Sequence, residues 1–179
     1  MTADKNIFLI GFMGAGKSTI ARALHRRLEL PLVEMDERIV QEQGMPINDI
    51  FDRFGEERFR DIESELVKTL GQQAPSIISC GGGVVVRPQN VAVMRESGRI
   101  VFLAASPETV YERVKHSNER PILNGHMNVA YIAELMEKRR ALYEAAADVR
   151  IVTDGRSRDE ICDEILDYIT GEERQGLLK

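Results

Sequence analysis

The sequence predicts an open α/β fold: a three-layer α/β/α arrangement around a five-stranded parallel sheet, joined by right-handed crossovers. Three observations carry that prediction. Five short apolar runs recur along the chain, each continuous rather than alternating, as suits strands covered on both faces. Helical patterns with legible starts separate these runs. A glycine-rich segment ending in Gly16-Lys17-Ser18 stands between the first run and the first helical pattern.

The strand-like runs cover residues 6–10, 31–34, 76–80, 99–104 and 149–152. After the glycine-rich segment, Ile20, Ala21, Leu24 and Leu28 mark the first helix. A short helix is expected over 37–43, with Asp36 as a candidate N-cap. The next, over 56–70, carries the stripe Phe59, Ile62, Leu66 and Leu70. Ser106-Pro107-Glu108 supplies an N-cap, a proline at N1 and an early acid, so a helix starts there and ends near Arg113. A helix over about 128–147 shows apolar residues at Ile132, Leu135, Met136, Leu142 and Tyr143. Ser157 followed by Glu160 is a capping-box signature for the last helix. No repeat, low-complexity tract or linker interrupts the order. Residues 1–170 are therefore expected to form one domain with a lid at about 117–126, followed by a frayed polar tail over 171–179.

Composition narrows the function. The chain has 179 residues, close to the size of one domain. Its 29 acidic residues exceed its 24 basic ones, for a formal charge of -5. That balance disfavours a general polyanion binder while leaving room for one basic pocket. Cys80 and Cys162 cannot build a disulfide framework, and the three histidines have no metal-ligand spacing with them. The longest apolar stretch, residues 100–105, falls far short of the ~20 residues of a membrane span, and no signal-peptide core precedes the first strand. A cytoplasmic protein with no nucleic-acid or membrane partner is expected.

Gly11-Phe12-Met13-Gly14-Ala15-Gly16-Lys17-Ser18 matches G-x-x-x-x-G-K-[ST] in full, in the strand-loop-helix setting the motif requires. Its glycines let successive N–H groups curl inward, and the helix N-terminus adds positive potential for phosphate oxygens. Lys17 is expected to reach the β- and γ-phosphates, and the Ser18 hydroxyl to ligate Mg²⁺. The bland alternative is a glycine-rich turn with a chance lysine. No N-K-x-D guanine signature is present, and the third strand ends in Ser79-Cys80-Gly81 rather than in an aspartate, which disfavours a switch GTPase.

Ligands of such sheets gather beyond the carboxyl ends of the strands. Glu34 and Asp36 follow the second strand, spaced to leave it on the same side. Gly81-Gly82-Gly83 follows the third and permits close approach to the backbone. Glu63 falls within the stripe of the 56–70 helix, with Arg60 beside it. An i,i+3 ion pair is one reading; an arginine oriented by that acid to grip a carboxylate is the other. Arg139 falls mid-stripe in its helix, with Arg140 on the flank. Facing inward, Arg139 demands an anion, either a structural carboxylate or an acidic substrate. Asp36 is placed to take a proton from an attacking hydroxyl, a role compatible with capping. Arg120, in a polar loop, is either an ordinary solvated side chain or a lid arginine that closes over the γ-phosphate. Cys80 is either a reactive thiol or a small buried residue.

Together these residues resemble shikimate kinase from about Asn6 to Tyr168: G-F-M-G-A-G-K-S-T, Asp36, F-G-E-x-x-F-R ending at Arg60, the glycine triplet, Arg120-Pro121, and Arg139 four residues before Tyr143. The resemblance implies a P-loop kinase fold and ATP-dependent phosphorylation of the 3-hydroxyl of shikimate in aromatic amino-acid biosynthesis. It implies that Asp36, Arg60, Gly82 and Arg139 contact shikimate, the arginines through its carboxylate, with Gly81 and Gly83 beside them. It assigns Gly14, Ala15, Gly16, Lys17, Ser18 and Thr19 to the phosphates and Arg120 to the lid. Arg113, Pro121 and Arg156 fall near the adenine. Asp36, Lys17 and Arg120 make up the catalytic set, and the implied partners are shikimate, ATP and Mg²⁺, with the protein a monomer. Two positions depart from the family pattern: Glu34 stands where an aspartate usually contacts magnesium through water, and Ala141 stands where a proline is usual. A gluconate kinase and a non-catalytic nucleotide-binding module are the rival readings.

Overall fold

A computed structural model of the chain describes residues 4–116 and 128–176. β1 (Asn6–Ile10) lies at the centre of a sheet whose pairings are all parallel. β3 (Ile77–Ser79) and then β2 (Leu32–Glu34) flank it on one side, β4 (Gly98–Ala104) and then β5 (Val149–Val152) on the other. These are the five predicted runs, each end displaced by at most one residue, within the usual scatter of strand boundaries.

All five residues of β1 are buried, which requires cover on both faces. Ile7 and Leu9 join one core with Ile20 and Leu24 of α1 (Lys17–Leu28) and Ile161 and Ile165 of α7 (Arg158–Gly176). Phe8 and Ile10 join the other, alternating with them as strand geometry demands. That second core is closed by α2 (Met35–Gln43), α3 (Ile47–Gly71), α4 (Pro88–Ser97), α5 (Pro107–Val114) and α6 (Val129–Ala146). Asn6 is polar yet only 2% exposed. Its Oδ1 accepts from the Ser76 N–H at 2.9 Å and its Nδ2 donates to the Leu70 carbonyl at 3.4 Å, the satisfaction a buried amide needs.

The helix starts follow their caps. Ser106 Oγ accepts from the Thr109 N–H at 3.2 Å, and Asn128 Oδ1 accepts from the Tyr131 N–H at 2.8 Å. Ser157 and Glu160 form the reciprocal capping box: Ser157 Oγ accepts at 3.2 Å, while the Ser157 N–H donates to Glu160 Oε2 at 2.7 Å.

Four expectations change. The 56–70 helix is the second segment of α3, which begins at Ile47 and breaks at Gly55, where φ is 79° and ψ 170°. Only glycine occupies that region without strain. Asp36 is not an N-cap, because α2 already begins at Met35. Leu142, placed on the inward stripe, is 40% exposed. α7 continues past Gly171 to Gly176, so the boundary expected there falls inside a helix.

Reversal of strand order at β1 opens a crevice beyond its carboxyl end. The glycine-rich loop fills one side of that crevice, and the ends of β2 and β3 fill the other.

Candidate active site

Gly16 turns the loop into α1 with φ at 100°, a conformation side chains disfavour. Gly14, Gly16, Lys17, Ser18 and Thr19 line a cleft of about 750 Å³, so the first turn of α1 presents its N–H groups there. Lys17 Nζ donates to the Gly11 carbonyl at 2.7 Å and to the Phe12 carbonyl at 2.9 Å, lying across its own turn. Two outside residues brace the loop: Arg113 Nη1 donates to the Gly14 carbonyl at 2.9 Å, and buried Thr153 donates from Oγ1 to the Ala15 carbonyl at 3.4 Å. Arg113 thus sits against the phosphate loop. Arg156 does not: it donates to the carbonyls of Val152 and Glu160, both at 3.2 Å, and pairs with Glu164 on α7. Arg120 and Pro121 lie outside the described residues.

Ser18 Oγ donates to Glu34 Oε2 at 2.8 Å. The other oxygen, Oε1, is buried without a hydrogen-bond partner among the described residues. No group of three His, Cys, Asp or Glu side chains able to hold a metal occurs among the described residues. A hydroxyl plus one carboxylate therefore fits Mg²⁺, which retains waters and takes its remaining ligands from phosphate, rather than a cation needing a full protein cage.

Opposite the loop, the glycine triplet is the meeting point of the acceptor-side charges. A Cβ at Gly81 would lie 2.7 Å from Glu63 Oε1 and 3.1 Å from Asp36 Oδ1, and a Cβ at Gly83 would lie 2.1 Å from Arg60 Nη1. None of the three glycines adopts a left-handed φ; Gly81 and Gly83 serve here by leaving space for the Glu63, Asp36 and Arg60 side chains. Arg60 and Glu63 are 4% and 1% exposed and paired at 2.8 Å. Glu56 accepts from Arg60 Nη2 at 3.0 Å and from Nε at 3.3 Å. The ion pair is therefore real, yet it uses three of the five guanidinium N–H donors, leaving two for a ligand. Burial pushes the Glu63 carboxyl above its ordinary value; Arg60 pulls it down and the Asp36 carboxylate pushes it up.

Arg139 is half-buried, makes no ion pair among the described residues, and donates from Nη1 to the Gly82 carbonyl at 3.3 Å. No carboxylate among the described residues forms a salt bridge with Arg139, although its positive charge pulls the Glu63 carboxyl down. Arg140 is exposed and paired with Glu137. Glu34 and Asp36 both line the cleft but diverge, one toward Ser18 and the other toward the triplet, because the helix begins between them.

Some residues at the site escape the sequence reading. Tyr143 has a hydroxyl that donates to the Gly82 carbonyl, and its ring stacks on Phe102 at 5.1 Å. Burial, against the opposing pull of Arg139, pushes this hydroxyl up to about 12, so it remains a neutral donor. The i,i+4 spacing from Arg139 is the signal that both side chains share a face. Pro46, Ile47 and Asn48 also line the cleft, at the start of the helical segment that sequence periodicity missed. Cys80 is 3% exposed and burial raises its thiol, which answers for a packed residue over a reactive one.

A family model described as shikimate kinase matches residues 13–170. The shikimate kinase of Geobacter sulfurreducens is 41% identical over 165 residues, which span 92% of this chain and 91% of that protein. The structure of Acinetobacter baumannii shikimate kinase in complex with shikimate superposes with a TM-score of 0.89 at 28% identity, covering 94% of each chain. A gluconokinase from Sinorhizobium meliloti superposes with a TM-score of 0.63 at 18% identity over 99% of this chain and 98% of its own, a likeness of fold alone.

Space at the triplet is directly testable. Gly83→Ala should lower the free energy of unfolding by about 1–3 kcal/mol in urea denaturation, since its methyl collides with a buried guanidinium. Gly82→Ala, whose Cβ would meet nothing nearer than 3.6 Å, should cost under about 1 kcal/mol. Equal losses would mean that Arg60 does not lie beneath Gly83.

Proposed function

This chain belongs to the shikimate kinase family, and from that premise we propose how its own residues carry out the reaction. It transfers the terminal phosphoryl group of ATP to the 3-hydroxyl of shikimate, giving shikimate 3-phosphate and ADP, a step of aromatic amino-acid biosynthesis. One observation supports the assignment of residues: Asp36, Arg60 and Arg139 converge on Gly81–Gly83 across the cleft from the phosphate loop.

Arg139 and the two remaining donors of Arg60 hold the substrate carboxylate, and the Gly82 backbone supports the ring. This grip turns the hydroxyl toward the loop, and such positioning supplies much of the catalysis in phosphoryl transfer. Asp36 orients that hydroxyl and accepts its proton. Lys17 and the first N–H groups of α1 stabilise negative charge on the transferring phosphoryl group, a role shared by Arg120. The phosphates lie along Gly14, Ala15, Gly16, Ser18 and Thr19, while Arg113, Pro121 and Arg156 flank the adenine. Ser18 would hold Mg²⁺, with Glu34 assisting through water, and the metal would supply neutralisation of phosphate charge.

The rival gluconate kinase does not call for two arginines beside a Cβ-free strand end, and this feature separates the readings. No helix among the described residues is long and apolar enough to cross a membrane. We assign the protein to the cytoplasm, acting as a monomeric single domain without nucleic acid.

Asp36→Asn should leave ATP binding nearly intact while kcat falls by ~10²–10⁴-fold in a coupled ADP-release assay. Unchanged turnover would remove Asp36 from the chemistry. Arg139→Ala should raise KM for shikimate and spare KM for ATP; equal effects on both would contradict its place at the carboxylate.

A further inference from the structure

Glu34 is gripped from two positions on one face of α1. Ser18 Oγ donates to Oε2 at 2.8 Å, and Arg22, one turn further along, brings Nη2 to 3.7 Å from Oε1. The Glu34 side chain is 13% exposed and Arg22 is 55% exposed, so the acid is fixed at the cleft while the arginine reaches in from solvent. The contact to Oε1 is electrostatic only, since that oxygen is buried with no hydrogen bond among the described residues. A carboxylate with one oxygen committed to a hydroxyl and the other answered only at a distance is incompletely neutralised.

We propose that Arg22 is an internal counter-cation for Glu34 that competes with the divalent metal, and so sets how much Mg²⁺ this protein needs. The inference rests on the Ser18–Glu34 metal reading. By donating to Oε2, the Ser18 hydroxyl keeps its lone pairs available for a cation, and orientation of this kind tunes a metal site from outside it. Arg22 acts in the opposite direction. Its positive charge repels a divalent cation and stabilises Glu34 when no cation is bound, so metal binding must outcompete it. The length of Glu34 matters: the carboxylate at the end of β2 touches both Ser18 and Arg22 on α1. A partly exposed pair of this kind is worth a few tenths to one kcal/mol, equivalent to an affinity change of about 1.5- to 5-fold.

Calorimetric titration of ADP into the full-length protein across a series of MgCl₂ concentrations, with an EDTA control, separates the possibilities without recourse to activity. Arg22→Gln should lower the Mg²⁺ concentration giving half-maximal tightening of ADP by about 1.5- to 5-fold and leave the ADP affinity in EDTA unchanged. Glu34→Gln should abolish most of the Mg²⁺ dependence, and adding Arg22→Gln to it should then have no further effect. If Arg22→Gln weakens ADP equally with and without Mg²⁺, the arginine serves the phosphates and the proposal is overturned. An unchanged or raised half-maximal concentration, with Glu34→Gln still insensitive to Mg²⁺, overturns the role of Arg22 alone. Full Mg²⁺ dependence in Glu34→Gln overturns the metal reading beneath it.

Discussion

The buried Arg60–Glu63 pair beneath the glycine triplet is the constraint on which the acceptor side depends. At 4% and 1% exposure, neither charge tolerates loss of the other, since an isolated buried charge is costly to desolvate. The pair also needs volume. Gly81 and Gly83 provide it by lacking Cβ atoms, since one at Gly81 would crowd Glu63 Oε1 and one at Gly83 would collide with the Arg60 guanidinium. Glu56 completes the cage on the solvent side. An arginine fixed in this way has little rotamer freedom left to lose when a ligand arrives.

The sheet explains why such a pair faces a nucleotide loop at all. β1 carries the loop, and its neighbour β3 carries the triplet, so parallel pairing brings both to the same carboxyl edge. β2 adds Glu34 and, through the first turn of α2, Asp36. α6 crosses behind and drops Arg139 and Tyr143 onto the Gly82 carbonyl. Four separate chain segments therefore meet over one strand end, and the opposed charges need no element to move far to face one another. Membership of the shikimate kinase family agrees with this arrangement, while the looser likeness to a gluconokinase reflects the shared sheet.

What the sequence discloses is what local physics decides. Continuous apolar runs locate all five strands, and Ser106 and Ser157 mark helix starts because caps act within four residues. The phosphate loop is legible for the same reason. Helical phase placed Glu63 and Arg139 inward and Arg60 beside the stripe, and each is buried or half-buried. Contacts between distant segments are not written locally. The break at Gly55 hides the first segment of α3 from any periodicity test, and with it Ile47 and Asn48 on the cleft wall. Leu142 is exposed although its spacing fits the stripe, because no described residue covers that edge of α6 sufficiently. Asp36 reads as a cap, but the structure starts α2 two residues earlier, at Met35, with Glu34 before it bonded to Ser18. Arg156 bonds the carbonyls of Val152 on β5 and Glu160 on α7, partners that are invisible in one dimension.

The central claim is that two arginines recognise a carboxylate beside the phosphoryl-transfer axis. It is tested most directly by comparing kcat/KM for shikimate with that for its methyl ester, which keeps the ring and every hydroxyl but loses the charge. Leaving the guanidinium groups without their anion should lower kcat/KM by roughly 30-fold or more. Turnover of the ester as efficient as that of the acid would contradict the account.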